Sequence, residues 1–241
     1  AVAYESLMVG MHYIHRGPNN RVCAEGQFPK LLDLELGFSR DGFHWDRPDR
    51  RSFITGLRTE GSWDRAYVHG TAGVFVVLND QLVFPYMGTS GVAPSGKRGM
   101  YTGGSIGLAM LRRDGFASMD AGEKPGTLTT SPIVFQGRHL FVNVNAPKGE
   151  LRVEVLSEPG KVLAESKPLT ADTTKQRIEW TGRADLAEFV GKPVRLRFHL
   201  TSGQLYAFWV TPDSAGASNG YVGAGGPAFS GVRDMPPESE K

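Results

Sequence analysis

Gly37-Phe38-Ser39-Arg40-Asp41-Gly42-Phe43-His44-Trp45 decides how this chain is read, because its centre returns in Met110-Leu111-Arg112-Arg113-Asp114-Gly115-Phe116-Ala117-Ser118. In each copy Arg-Asp-Gly-Phe follows a run of apolar and small residues, which predicts a tight turn between two strands. Gly accepts positive φ there, and an Asp carboxylate accepts hydrogen bonds from the amides that follow it. Asp41 and Asp114 are therefore expected to organise backbone and not to touch a ligand. The spacing from Asp41 to Asp114 exceeds a ~40–50 residue repeat, so loop insertions are expected within the repeating unit.

Around these turns, Leu7 to Ile14, Leu32 to Phe38, Val68 to Leu78 and Leu82 to Met87 are short apolar or alternating runs bounded by Gly, Pro, Asn and Asp, and each predicts a strand. Helical periodicity is nearly absent, the best candidate being Ala184 to Val190. Arg16 to Lys30 and Gly88 to Gly104 read as long loops of the kind that carry binding residues. From about Gly122 the texture changes to clean alternation: Leu140, Val142, Val144; Leu151, Val153, Val155; Val194, Leu196, Phe198, Leu200; Leu205, Ala207, Trp209. Such strands belong to sheets with one buried and one wet face, as in a β-sandwich. The fold class is all-β. The expected divisions are 1–121, 122–212, and an irregular Gly/Pro-rich tail over 213–241 that ends in Glu238-Ser239-Glu240-Lys241.

With 241 residues, 40% of them hydrophobic, the chain is long enough to bury a real core. The 31 glycines and 15 prolines are scattered, as in a fold rich in turns. A net charge of +2 without a run of Lys or Arg makes no electrostatic case for nucleic acid. No apolar run approaches the ~20 residues of a membrane span, so neither a nucleic-acid nor a membrane partner is expected. One cysteine, Cys23, rules out an internal disulfide framework and a cysteine-based zinc site. His12 and His15 are three apart in a strand-like run and point to opposite faces, poor geometry for a shared metal. No metal or cofactor is expected. The start, Ala1-Val2-Ala3-Tyr4, reads as mid-strand without an initiator Met or leader, which suggests either that an amino-terminal part has been removed or that the chain is a portion of a longer protein.

Gly37 to Pro48, Gly61-Ser62-Trp63-Asp64, Ile106-Gly107-Leu108-Ala109 leading into Leu111 to Met119, Gly126 to Thr130, Lys192 to Phe198 and Leu205 to Trp209 together resemble the carboxy-terminal half of bacterial proteins similar to family 32 glycoside hydrolases. The resemblance implies a five-bladed β-propeller followed by a β-sandwich. This chain would hold about two blades, with the missing amino-terminal blades or an oligomer completing the ring. It also implies secretion or a periplasmic location. The Asn-Asp-Pro-Asn-Gly type motif that carries the family's nucleophile has no match here, and its Arg-Asp-Pro and Glu-Cys motifs are missing too. No catalytic residue is carried over by motif.

The resemblance makes a carbohydrate the expected substrate or ligand, and glycoside hydrolysis uses two carboxyl groups, ~5 Å apart for retention or ~6.5–9.5 Å for inversion. Asp33 and Glu35, two apart on a strand, share a face opposite Leu32, Leu34 and Leu36; either they serve the chemistry or they line a solvated face. Gly61 to Gly70 leads into a strand, and Asp64 and His69 are candidates for acid, base or substrate ligand. A turn-bonding Asp64 and a core His69 are the alternatives. Sugars stack on flat rings, so Tyr67, Tyr86 and Tyr101 are candidate platforms, with core packing the alternative for Tyr86. Arg21 is available for a carboxylated sugar through a bidentate pair. The functional expectation is a glycoside hydrolase, with a non-catalytic carbohydrate-binding or scaffold protein as the rival.

Overall fold

The computed structural model describes residues 1–71 and 74–236. Nearly all regular structure is β, in four antiparallel four-stranded sheets. The contacts divide the chain into two compact units, Ala1–Leu111 with Gly220–Arg233, and Arg112–Asn219 with the residues from Asp234. Among the described residues no helix is long and apolar enough to cross a membrane.

In the first unit, β1 (Val2–Glu5), β2 (Leu7–Gly17) and β3 (Leu31–Ser39) are joined by β16 (Tyr221–Val222) in the order β16-β1-β2-β3. The stretch read as an irregular tail thus supplies an edge strand; its last residues, Glu238 to Lys241, lie outside the described residues. Between β2 and β3 the long loop contains a short helix, α1 (Asn20–Gly26), which the sequence reading missed. The signal was present: the Asn19 side chain accepts from the Val22 amide, and Gln27 closes the helix with φ +51°.

The second sheet holds β4 (Ala66–Gly70), β5 (Val76–Leu78), β6 (Gln81–Thr89) and β7 (Gly104–Arg112). The single strand expected over Val68 to Leu78 is two strands, with residues 72 and 73 outside the described residues. Leu82, Phe84, Val68 and Val77 are buried. Tyr4, Phe75, Phe84 and Phe53 form a chain of rings with centroids 5.0 Å apart at each step.

The two Arg-Asp-Gly-Phe turns differ. After β3 the chain returns on itself, with Phe38 and Asp46 exchanging backbone hydrogen bonds of 2.9 and 2.8 Å. Asp41 accepts from the Phe43 and His44 amides, and Gly42 takes φ +79°. After β7, Asp114 and not the glycine takes positive φ, at +56°. The next strand, β8 (Met119–Ala121), pairs with β15 (Gly203–Thr211) and not with β7. The second copy therefore closes no hairpin; it marks the boundary between units, which falls at Leu111 where Ala121 was expected.

In the second unit, β9 (Gly126–Thr129), β10 (His139–Asn145), β11 (Glu150–Leu156), β12 (Val162–Glu165), β13 (Asp172–Arg177) and β14 (Arg195–Thr201) complete two sheets, ordered β13-β10-β15-β8 and β12-β11-β14-β9. Both sheets contribute to one core, which includes Leu140, Val142, Val144, Leu151, Val153, Leu196 and Phe198. The alternation read from the sequence is the inward-facing set on β10, β11 and β14, but on β15 it holds only at Leu205: the register shift opposite Asn143 and Val144 turns Phe208 and Val210 to the core and Ala207 and Trp209 away from it. On β10 the other face is covered as well: Phe141 stacks on Trp209 at 5.6 Å, and Asn143 bonds Arg112 and the Arg113 carbonyl. The helical candidate at Ala184 to Val190 is one 3-10 turn, Ala187–Phe189.

Candidate functional site

The β2–β3 register pairs His12 with Glu35, Tyr13 with Leu34 and Ile14 with Asp33. Cross-strand partners share a face and sequence neighbours do not, so Asp33 and Glu35 lie on one side of the sheet with His12 and Arg16, and Tyr13 lies on the other. The carboxylates do not line a solvated face: Asp33 is 2% and Glu35 1% exposed. Arg16 bridges them, its Nε 3.2 Å from Asp33 Oδ2 and an Nη 2.7 Å from Glu35 Oε1. Arg47 binds the other Glu35 oxygen. Asp33 also accepts from Thr55 at 2.7 Å, Ser52 at 3.0 Å and Arg58 at 2.7 Å. Burial alone would raise the Asp33 pKa, but the hydrogen bonds from Thr55, Ser52 and Arg16 and the Arg58 charge outweigh it and hold it below its ordinary value. Asp33 has the properties of a permanent anion that ties Arg58 to Arg16 and the sheet, while Glu35 ties in Arg47.

On the opposite side, the Tyr13 hydroxyl donates to the Gly70 carbonyl at 3.2 Å and the Tyr13 ring lies 5.0 Å from His69. His69 pairs with Met87 and Ala66 with Thr89 across β4 and β6, which leaves Tyr67 and Val68 facing Gly88 alone. This β-bulge is the kind that re-aims side chains beside functional sites. Tyr67 sits in it with φ +54°, a conformation that costs a non-glycine residue about 1–3 kcal/mol. The Tyr67 ring lies 4.4 Å from His69 and 5.1 Å from Tyr101. Lys30 Nζ lies over both tyrosines, 5.2 Å from the Tyr67 centroid and 5.6 Å from that of Tyr101.

Tyr13, His69, Tyr67 and Tyr101 thus form a continuous run of rings, and Tyr101 and Tyr13 are exposed. Burial, then the Lys30 charge, lowers the His69 pKa, which keeps the imidazole neutral near pH 7; its Nε2 is buried without a hydrogen-bond partner. Burial and the neighbouring Tyr101 hydroxyl raise the Tyr67 pKa. The surface can stack a sugar and present an ammonium and phenol groups to its hydroxyls.

Asp64 is 5% exposed. Its Oδ2 accepts from the Tyr86 hydroxyl at 3.0 Å, and its Oδ1 is buried without a donor. Burial and the Asp64 contact push the Tyr86 pKa up to about 12. Tyr86 packs 5.4 Å from Trp63 and is itself buried. Arg21, on α1, is exposed and 3.9 Å from Glu25. Cys23 is fully buried with its Sγ 3.7 Å from the Pro18 carbonyl, and burial raises its pKa, which describes a packed thiol. Among the described residues, no three His, Cys, Asp or Glu side chains come together in a way that could hold a metal.

Of the residues singled out in the sequence, the fold brings His69, Tyr67 and Tyr101 together and joins Asp64 to Tyr86. Asp33 lies across the sheet from Tyr13. Lys30 and Tyr13 were missed. The signal for Lys30 was its position at the end of the loop expected to carry binding residues.

No family model matches the chain, and no curated protein matches it. Among solved structures it is similar to a glycoside hydrolase family 43 arabinoxylan arabinofuranohydrolase from Bacillus subtilis, determined in complex with cellotetraose. The identity is 10% and the TM-score 0.25, over 86% of this chain and 52% of that one. This chain therefore spans about half the length of that structure. A similarity at this level assigns neither family nor function.

Proposed function

We propose that this chain is part of a carbohydrate-active β-protein and binds a sugar on the face formed by Tyr67, Tyr101, Tyr13 and His69. In this reading the first unit is a partial propeller of a five-bladed type, the second is a β-sandwich, and the protein is secreted or periplasmic. The observation that carries the reading is the ring run on the β4 bulge: a strained tyrosine meets His69 and Tyr101, with Tyr13 beyond His69 and an ammonium over two of the rings, at a surface, and a packed core needs none of that. Affinity electrophoresis of the chain through gels containing soluble glycans tests it. Retardation by at least one glycan, reduced about tenfold in affinity by Tyr67→Ala, is the expected result. Equal retardation of the variant, or none with any glycan, would count against it.

A second reading, glycoside hydrolysis with Asp64 and His69 in acid/base roles, is favoured by the buried Asp64 oxygen that has no donor. Asp33 fits this chemistry less well, because a general acid at neutral pH needs a raised pKa. Turnover of a glycan or aryl glycoside that disappears in Asp64→Asn, with the variant still folded, is the expected outcome of this second reading. Binding without turnover leaves only the first.

A further inference from the structure

Lys30 stands out on this face because nothing there balances its charge. It is half-buried, and its Nζ donates to Asn20 Oδ1 at 2.5 Å. Among the described residues no carboxylate comes within ion-pair distance of it. The two tyrosine faces attract the ammonium but supply no anion. His69 is held neutral, in part by Lys30 itself, and Tyr67 is held neutral by its raised pKa. The buried carboxylates of this unit are committed elsewhere, Asp33 and Glu35 to three arginines and Asp64 to Tyr86. Arg21, the residue expected from sequence to meet an acidic sugar, is exposed on α1 and has Glu25 nearby.

We infer that the sugar stacked on Tyr67 and Tyr101 carries an anionic substituent, carboxylate or sulfate, that pairs with Lys30. The inference rests on the carbohydrate-binding reading and narrows it to acidic glycans. A charge-assisted contact in a partly desolvated setting discriminates more strongly than a neutral hydrogen bond.

Isothermal titration of the whole chain at low salt and near-neutral pH tests it with three probes: an oligogalacturonate, its neutral methyl ester, and a sulfated oligosaccharide. The expected result is that one acidic probe binds about tenfold or more tighter than the ester, and which of the two does so identifies the substituent. Lys30→Gln is expected to abolish that preference, Lys30→Arg to keep it, and added salt to reduce it. Ester binding equal to both acidic probes, or a preference that survives in Lys30→Gln, overturns the inference while Tyr67-dependent binding still supports the carbohydrate reading. Failure of folded protein to bind these probes or any neutral glycan overturns both.

Discussion

Asp33 accepts hydrogen bonds from Thr55, Ser52, Arg16 and Arg58 while almost fully buried, and that commitment has measurable consequences. Asp33→Asn leaves guanidinium groups without their counter-charge; because those groups are a third to a half exposed, the expected loss is about 2–3 kcal/mol in urea unfolding. The lowered Asp33 pKa means the unfolded chain binds its proton first, so the stability Asp33 contributes is complete above the ordinary carboxylate range and is lost as pH falls through the folded value. His12 and His69 act in a higher window. Burial, the largest cause for each, lowers both below 6.5, so protons again favour the unfolded chain and stability falls as pH drops from about 6.5. Unfolding midpoints measured from pH 8 to pH 3 should show two successive declines, and Asp33→Asn should flatten the lower one. That Asp33 and Glu35 share a face was legible from strand periodicity. Their burial was not, because Arg16, Arg47 and Arg58 come from separate segments that only the fold brings together. Tyr67 and His69 were legible as residues opening a strand, whereas Lys30 and Tyr101 reach them from two loops.

Among the elements, the β4 bulge is the one on which the site depends. Gly88 faces the two bulged residues, and a Cβ there would lie 2.6 Å from Asp64 Cβ and 2.7 Å from its Cα. Gly88→Ala therefore has to push the Asp64 backbone away, at an expected cost of about 1–3 kcal/mol together with weakened glycan binding as β4 shifts. Calorimetry and titration of the same variant check both. The strands themselves were readable from apolar runs, but the bulge was not, since it arises from a pairing between β4 and β6 that Ala66 to Gly70 does not specify alone. The helix α1 was readable in principle from Asn19 and Val22; the density of Gly, Pro and Asn around it made a loop the simpler reading.

At the scale of the whole molecule, the Arg-Asp-Gly-Phe pair was legible as architecture, yet only the first copy turns a chain back on itself. The second is where one compact unit ends. Each unit has its own core, so each is expected to give its own unfolding transition in calorimetry. Gly226→Val, which would drive a side chain into the Val77 carbonyl, should lower one transition, and Leu196→Ala, in the core shared by two sheets, should lower the other by about 2–5 kcal/mol. A single transition that both variants move equally would show one cooperative block instead. The central claim, a sugar held on the β4 rings, is tested most directly by hydrogen exchange with and without a bound glycan. Protection confined to Ala66–Gly70 and the segments carrying Lys30 and Tyr101 is the expected result; protection only in the strands of the second unit, with β4 unchanged, would contradict it.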